Sequence, residues 1–187
     1  VPSASGDWSI STPTTTVSGL NHLEGQTVTA LADGSVVPNQ EVVDGTISLP
    51  GAASQIVVGL PYVCQVQTMY LEHPDSEGTV QNRRKNISSV GVRVEASRGL
   101  QVGADQPDQS AQQNFAPVTW TNMSEIKERN MFVNAGSAVP LYTGDYFKNI
   151  TSGGTVKGQM AVQQIYPLPA NILALISYWN SGDTDRP

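Results

Sequence analysis

Two Asp-Gly pairs, Asp33-Gly34 and Asp44-Gly45, stand between short runs of Val, Ile and Thr, and they constrain this chain more than any other feature. An Asp-Gly pair supplies the positive φ values of a two-residue hairpin turn, so each predicts an antiparallel strand on either side. QTVTAL precedes the first corner, SVVPNQEVV joins the two, and TISLP and SQIVVGLPYVCQVQTMYLE follow. Short strands separated by turn signals predict an antiparallel meander or small barrel. Asp33 and Asp44 are therefore read as turn formers. His22 and Glu24, just before the first strand, are read as surface polar residues.

The same pattern continues after a polar loop, HPDSEGTVQNRRK. In NISSVGVRVEAS, Val90, Val92 and Val94 fall on one face and Arg93 and Glu95 on the other, as in a half-buried strand. Arg98-Gly99 turns the chain and LQVG returns, before ADQPDQSAQQNFAPV, which has no apolar period and reads as a long exposed loop. TNMSEIKERN is the one candidate helix, with Asn122 and Glu125 in capping-box spacing. LYTGDYFKNI, GTVKGQMAVQQIYPLP and NILALISYW predict three closing strands; the Leu and Ile content of the last also allows a short helix, but Pro169 before it and its β-branched and aromatic residues favour strand. The Ser/Thr/Pro-rich start, residues 1–18, reads as an extended arm that Trp8 and Ile10 could dock on a neighbour. The opening VPSASGDW lacks a methionine, as expected of a processed chain or a piece of a longer one.

Charge narrows the function classes. With 10 Lys and Arg against 16 Asp and Glu, the net charge of −6 argues against sequence-independent nucleic-acid binding. The one basic cluster, Arg83, Arg84 and Lys85, is expected to solvate a turn. Only 14% of the residues are charged, and Gly, Ser, Thr, Gln and Asn fill the gap. The Val, Ile and Thr clusters nevertheless predict a folded, β-rich chain. No run approaches the roughly 18–20 apolar residues of a membrane helix, so no membrane partner is expected.

Catalytic signals are few. The 2 histidines have no supporting pattern, and no serine sits in a nucleophile elbow. Glu72, His73 and Asp75 share a Pro-containing turn without metal-ligand spacing. GDYFKNITSGG lacks the phosphate-loop lysine and reads as a turn. Cys64 is the single cysteine, which excludes an intrachain disulfide, and its alternating apolar run predicts a buried, inert thiol. The chain is accordingly expected to be no enzyme, with no cofactor and no metal. Sequons at Asn86, Asn122 and Asn149 are no more than chance supplies in so Asn-, Ser- and Thr-rich a chain. Tyr70, Trp120, Tyr142, Tyr146, Tyr166, Tyr178 and Trp179 are read as core or subunit interface, with a sugar-stacking platform as the rival use.

The order of motifs carries a resemblance. GLNHLEGQTVTALADG, GTISLP, IVVGLPY with a run to LE, SSVGVRVEASRGLQVG, LYTGDY and VQQIYPLPANILAL occur in that order from about Gly19 to Leu175. In this the chain resembles the C-terminal region of tailed-bacteriophage virion proteins of the tail tube, nozzle or stabilisation type. Its first part, Gly19 to Leu60, is also similar to a small β-barrel of ubiquitin-activating enzymes, which implies a shape and no ubiquitin chemistry. The Gln-rich loop at 109–114 and the Ser/Thr-rich arm depart from the phage pattern; a large upstream portion usually precedes this region in those proteins, which leaves open a fragment or a short stand-alone version here.

The resulting expectation is an all-β chain: a small antiparallel β-barrel continuous with a larger antiparallel β-sandwich. Its divisions are an arm at 1–18, the barrel at 19–61, the sandwich at 62–180 and a tail at 181–187. The resemblance implies a structural, non-enzymatic tail or neck ring subunit located in the virion. Its partners would be other copies of itself and neighbouring virion proteins, and DNA would pass without specific binding. Trp8, Ile10, Gln109, Gln112, Gln113 and Phe115 are the expected subunit contacts, since flexible segments order on a neighbour. The alternative is a receptor- or glycan-binding module on the tail.

Overall fold

A computed structural model describes residues 12–72, 80–107, 119–127, 139–151 and 153–181. The chain is all-β and divides into two compact units, the first formed by the chain up to Pro61 together with Val139 from further along, the second by the rest from Tyr62 on. Among the described residues every strand pair is antiparallel and no sheet closes into a barrel.

The first unit holds β1 (Thr14–Val17), a 3₁₀ turn (Asn21–Leu23), β2 (Thr27–Ala32), β3 (Ser35–Glu41), β4 (Ile47–Ala53) and β5 (Ile56–Gly59). β1 comes from the segment expected as an arm and pairs with β4, while β3, β2 and β5 form a second sheet in that order. Both Asp-Gly corners have the expected left-handed geometry: φ is 46° and 77° at Asp33 and Gly34, and 52° and 64° at Asp44 and Gly45. The first joins β2 to β3, and the second is closed by the Val43–Thr46 bridge. Val28, Ala30 and Val37 from one sheet share a core with Ile47, Leu49 and Ala53 from the other.

The second unit holds β6 (Cys64–Gln67), β7 (Lys85–Ser97), β8 (Gln101–Ala104), β9 (Ser124–Glu125), β10 (Tyr142–Asn149), β11 (Met160–Gln164) and β12 (Asn171–Ser181). One sheet has the order β10-β7-β12, the other β6-β11-β8-β9. The alternating valines of β7 do what their spacing predicts: Val90, Val92 and Val94 meet Val102, Met160 and Val162 of the other sheet, with Leu100 just before β8, in a single core. The β7–β8 and β11–β12 turns are tied by the buried Gln164, whose Nε2 donates to the carbonyls of Arg98 at 2.7 Å and Leu168 at 3.4 Å.

Three local expectations are corrected. The capping-box segment is no helix at Ser124–Glu125, which pair with β8 as β9. Asn122 has a φ of 56°, outside the N-cap range, and the Ile126 N–H donates to the Leu100 carbonyl at 2.8 Å. Two turns of helix cannot compete with that ladder and with the burial of Ile126. Cys64 is exposed, because β6 is an edge strand. Val66, Val162 and Val102 stand in register across β6, β11 and β8, but only the inner two are buried. Lys85 is fully buried instead of solvating a turn: its Nζ donates to the Val156 carbonyl at 2.9 Å and lies 3.7 Å from Glu72.

Candidate interaction surface

All six expected contact residues, Trp8, Ile10, Gln109, Gln112, Gln113 and Phe115, lie outside the described residues. The polar residues of GLNHLEG are described and have structural work. The Glu24 carboxylate accepts the backbone N–H groups of Asp44 at 2.9 Å and Gly45 at 2.7 Å. Asp33 acts likewise, accepting from Gln55 N–H at 2.7 Å and from Ser54 N–H. Both carboxylates are spent on turns. Among the described residues no three of His, Cys, Asp and Glu come together, at the corners, at His22 or elsewhere.

The aromatic residues divide between core and surface. Tyr142, Tyr146 and Trp179 pack on the second core, and Tyr142 and Tyr146 meet edge to face at 4.8 Å. Tyr166 closes over Gly99, and Tyr70 lies 5.8 Å from the Lys157 ammonium. Tyr178 alone among the seven joins a cross-strand cluster on the outer face of the β10-β7-β12 sheet.

That face follows from register. Opposite the inward valines, β7 turns Gly91 and Arg93 outward. Gly91 is flanked by Phe147 of β10 and Ile176 of β12, and Arg93 by Asp145 and Ala174. Gly91 has no side chain, so its neighbours close over it: a Cβ there would be 2.7 Å from Phe147 Cε1 and 3.1 Å from Ile176 Cβ. Phe147 then reaches Tyr178 edge to face at 5.6 Å, although the two remain 53% and 48% exposed. Beside this apolar strip the Arg93 guanidinium makes a two-pronged pair with Asp145, Nε to Oδ1 at 2.6 Å and Nη2 to Oδ2 at 2.8 Å. The hydrogen bond from Arg93 holds the Asp145 carboxyl below its ordinary range and, reciprocally, raises Arg93.

The strip runs to an edge. Among the described residues β12 has a partner on one side only. Asn171–Ser181 contains no charged residue and no proline, and Ile172, Leu173 and Tyr178 are exposed along it. Proteins commonly guard long edge strands with charge, proline or shortness. β10 carries Asp145 and Lys148, and β3 carries Pro38 and Glu41. Sequence reasoning identified the β12 strand but not its place at an edge. The absence of charge over NILALISYWNS was the available signal.

Compared with known proteins, the sequence matches no family model and no curated protein.

Proposed function

We propose that this chain is a non-enzymatic structural subunit of a bacteriophage virion, assembling with copies of itself as a tail or neck component. The observation that carries the reading is the ordered series of resembling motifs, each of which is framework in this chain. GLNHLEGQTVTALADG spans the 3₁₀ turn, β2 and its corner; IVVGLPY begins with β5; SSVGVRVEASRGLQVG covers most of β7 and runs into β8; VQQIYPLPANILAL joins β11 to β12. A likeness made of turns and strands is a likeness of scaffold. The finer architecture belongs to the same proposal: a sandwich in the second unit, whose sheets share one core, and a small barrel in the first, whose sheets share another. The net charge of −6 supports a passage through which DNA slides without sticking.

Light scattering on a sizing column, over a concentration series, tests the reading. A closed oligomer of defined mass is the expected result. A second reading, a receptor- or glycan-binding module, draws on the exposed Phe147–Tyr178 pair. A strict monomer that is retained on a glycan array would favour it over assembly.

A further inference from the structure

We propose that the edge of β12 that has no partner among the described residues is a two-fold seam at which two copies of this chain pair antiparallel. Such a contact is isologous, unlike the head-to-tail contact of a ring, so it stands independently of the virion reading.

What is open at an edge is backbone, so its partner must be an extended strand. The Tyr178 carbonyl is turned toward β7, where it accepts from Ser88 Oγ at 3.1 Å. Backbone groups alternate in direction along a strand, so those of Leu175 and Ser177 are turned to the free edge. The regular stretch of β12 runs from Ala174 to Tyr178, with an irregularity in the β7 pairing at each end, Ile172/Ala174 and Tyr178/Trp179. It is centred on Ile176.

The side chains of that stretch suit a second β12 as the partner. A two-fold axis at Ile176 sets Ile176 against its copy, Ala174 against Tyr178 and Leu175 against Ser177, each of the last two pairings occurring twice. Tyr178 thus faces Ala174 on one side of the sheet and Leu175 faces Ser177 on the other, Ile176 meets its own copy at the axis, and no charge opposes a like charge. Leu175 and Ser177 lie in the hydrogen-bonded positions of the new ladder and Ile176 in the close, non-hydrogen-bonded one. The matched window is only about 17 Å long, so the association is reversible and concentration-dependent.

The test is sedimentation of the full chain over a concentration series, for the parent and for Ser177→Pro. Proline removes the N–H directed at the seam and is tolerated on an edge strand whose N–H faces outward. The expected result is a parent dimer whose dissociation constant rises by about tenfold or more in S177P, with an unchanged far-UV spectrum. A second variant keeps the idea testable if S177P misfolds. Ile176→Cys in a Cys64→Ser background should oxidise to a covalent dimer, because Cα atoms of a non-hydrogen-bonded pair are about 4.5 Å apart. Asn149→Cys on β10 in the same background should not. A parent that is monomeric throughout overturns the seam, and so does an I176C chain that gives no covalent dimer. An oligomer that survives S177P intact also overturns it, while leaving the assembly reading in place.

Discussion

Gly91 is the position at which the outer face of the second unit can be tested most directly. The middle strand has no side chain there, and a Cβ would lie 2.7 Å and 3.0 Å from Phe147 Cε1 and Cδ1 and 3.1 Å from Ile176 Cβ. Carbon atoms prefer about 3.5–4.0 Å, so Gly91→Ala forces a displacement. The half-exposed Phe147 ring can swing outward, but the Ile176 Cβ is fixed to the neighbouring backbone. Overpacking of this kind costs about 1–3 kcal/mol, and replacing a strand glycine returns about 0.5–1 kcal/mol of chain entropy. The expected net loss is about 1–2 kcal/mol. Urea unfolding followed by tryptophan emission reads it, since Trp179 packs on the same unit's core. The protein should be dilute enough to be monomeric. Phe147→Ala removes the movable part of the obstruction, so G91A should cost less in an F147A background, with a coupling of about 0.5–1 kcal/mol. A midpoint for G91A at or above the parent's would refute the account. So would strict additivity in the double mutant, because the ring would then not be occupying the glycine's missing side-chain space.

Lys85 and Asp145 offer two further tests. Lys85→Ala leaves the Val156 carbonyl without its 2.9 Å donor and opens a cavity where the buried stem ran, so a loss of about 2–5 kcal/mol in equilibrium unfolding is expected. Lys85→Met refills the volume and should cost less than the alanine, since only the carbonyl is then left unbonded; equal losses would contradict the packing role. Asp145 should titrate below the usual carboxylate value of about 3.9 when followed by carboxyl NMR, with the Arg93 hydrogen bond as the main cause. Its folded pKa is depressed, so the pair's contribution to stability is present above the unfolded value and is lost as pH falls through the folded one. Arg93→Gln should return the titration toward the ordinary value, and a titration unmoved by that change would separate Asp145 from Arg93.

What was legible in the sequence is what local chemistry decides. Asp33-Gly34 and Asp44-Gly45 demand positive φ and obtain it, and Val90, Val92 and Val94 alternate onto the core as period two requires. NILALISYW, ambiguous by its leucines, is strand because β7 pairs along its whole length. The misreadings have one physical origin, which is dependence on a distant partner. Lys85 is buried because Gly158 leaves room for its stem and Val156 supplies a carbonyl, both more than seventy residues away. Ser124–Glu125 are strand because β8 offers a free edge. Cys64 sits in an apolar alternation but on the margin of its sheet, and alternation gives the face of a strand, never its place in the order. Glu24 resembled an idle surface residue because the turn it holds lies twenty residues on.

One compositional choice underlies both the fold and its open edge. A chain with 14% charged residues must satisfy its half-buried polar positions by other means, and here it uses amides. Gln65 Nε2 donates to Gln163 Oε1 at 3.2 Å and Gln163 Nε2 to Gln101 Oε1 at 2.6 Å, a ladder directly across β6, β11 and β8. Gln164 staples two turns in the same manner. An amide both donates and accepts, so such a row satisfies itself strand by strand without the desolvation cost of a buried ion. The same lack of charge removes the usual guard from an edge. β12 has neither lysine nor proline to repel an approaching strand, and self-pairing brings no like charges together. Placing one lysine at Ile176 would set two ammonium groups face to face across the two-fold while leaving every amide ladder intact. The scarcity of charge that leaves β6, β11 and β8 to be joined by amides thus also leaves the β12 edge of the other sheet without a charged guard.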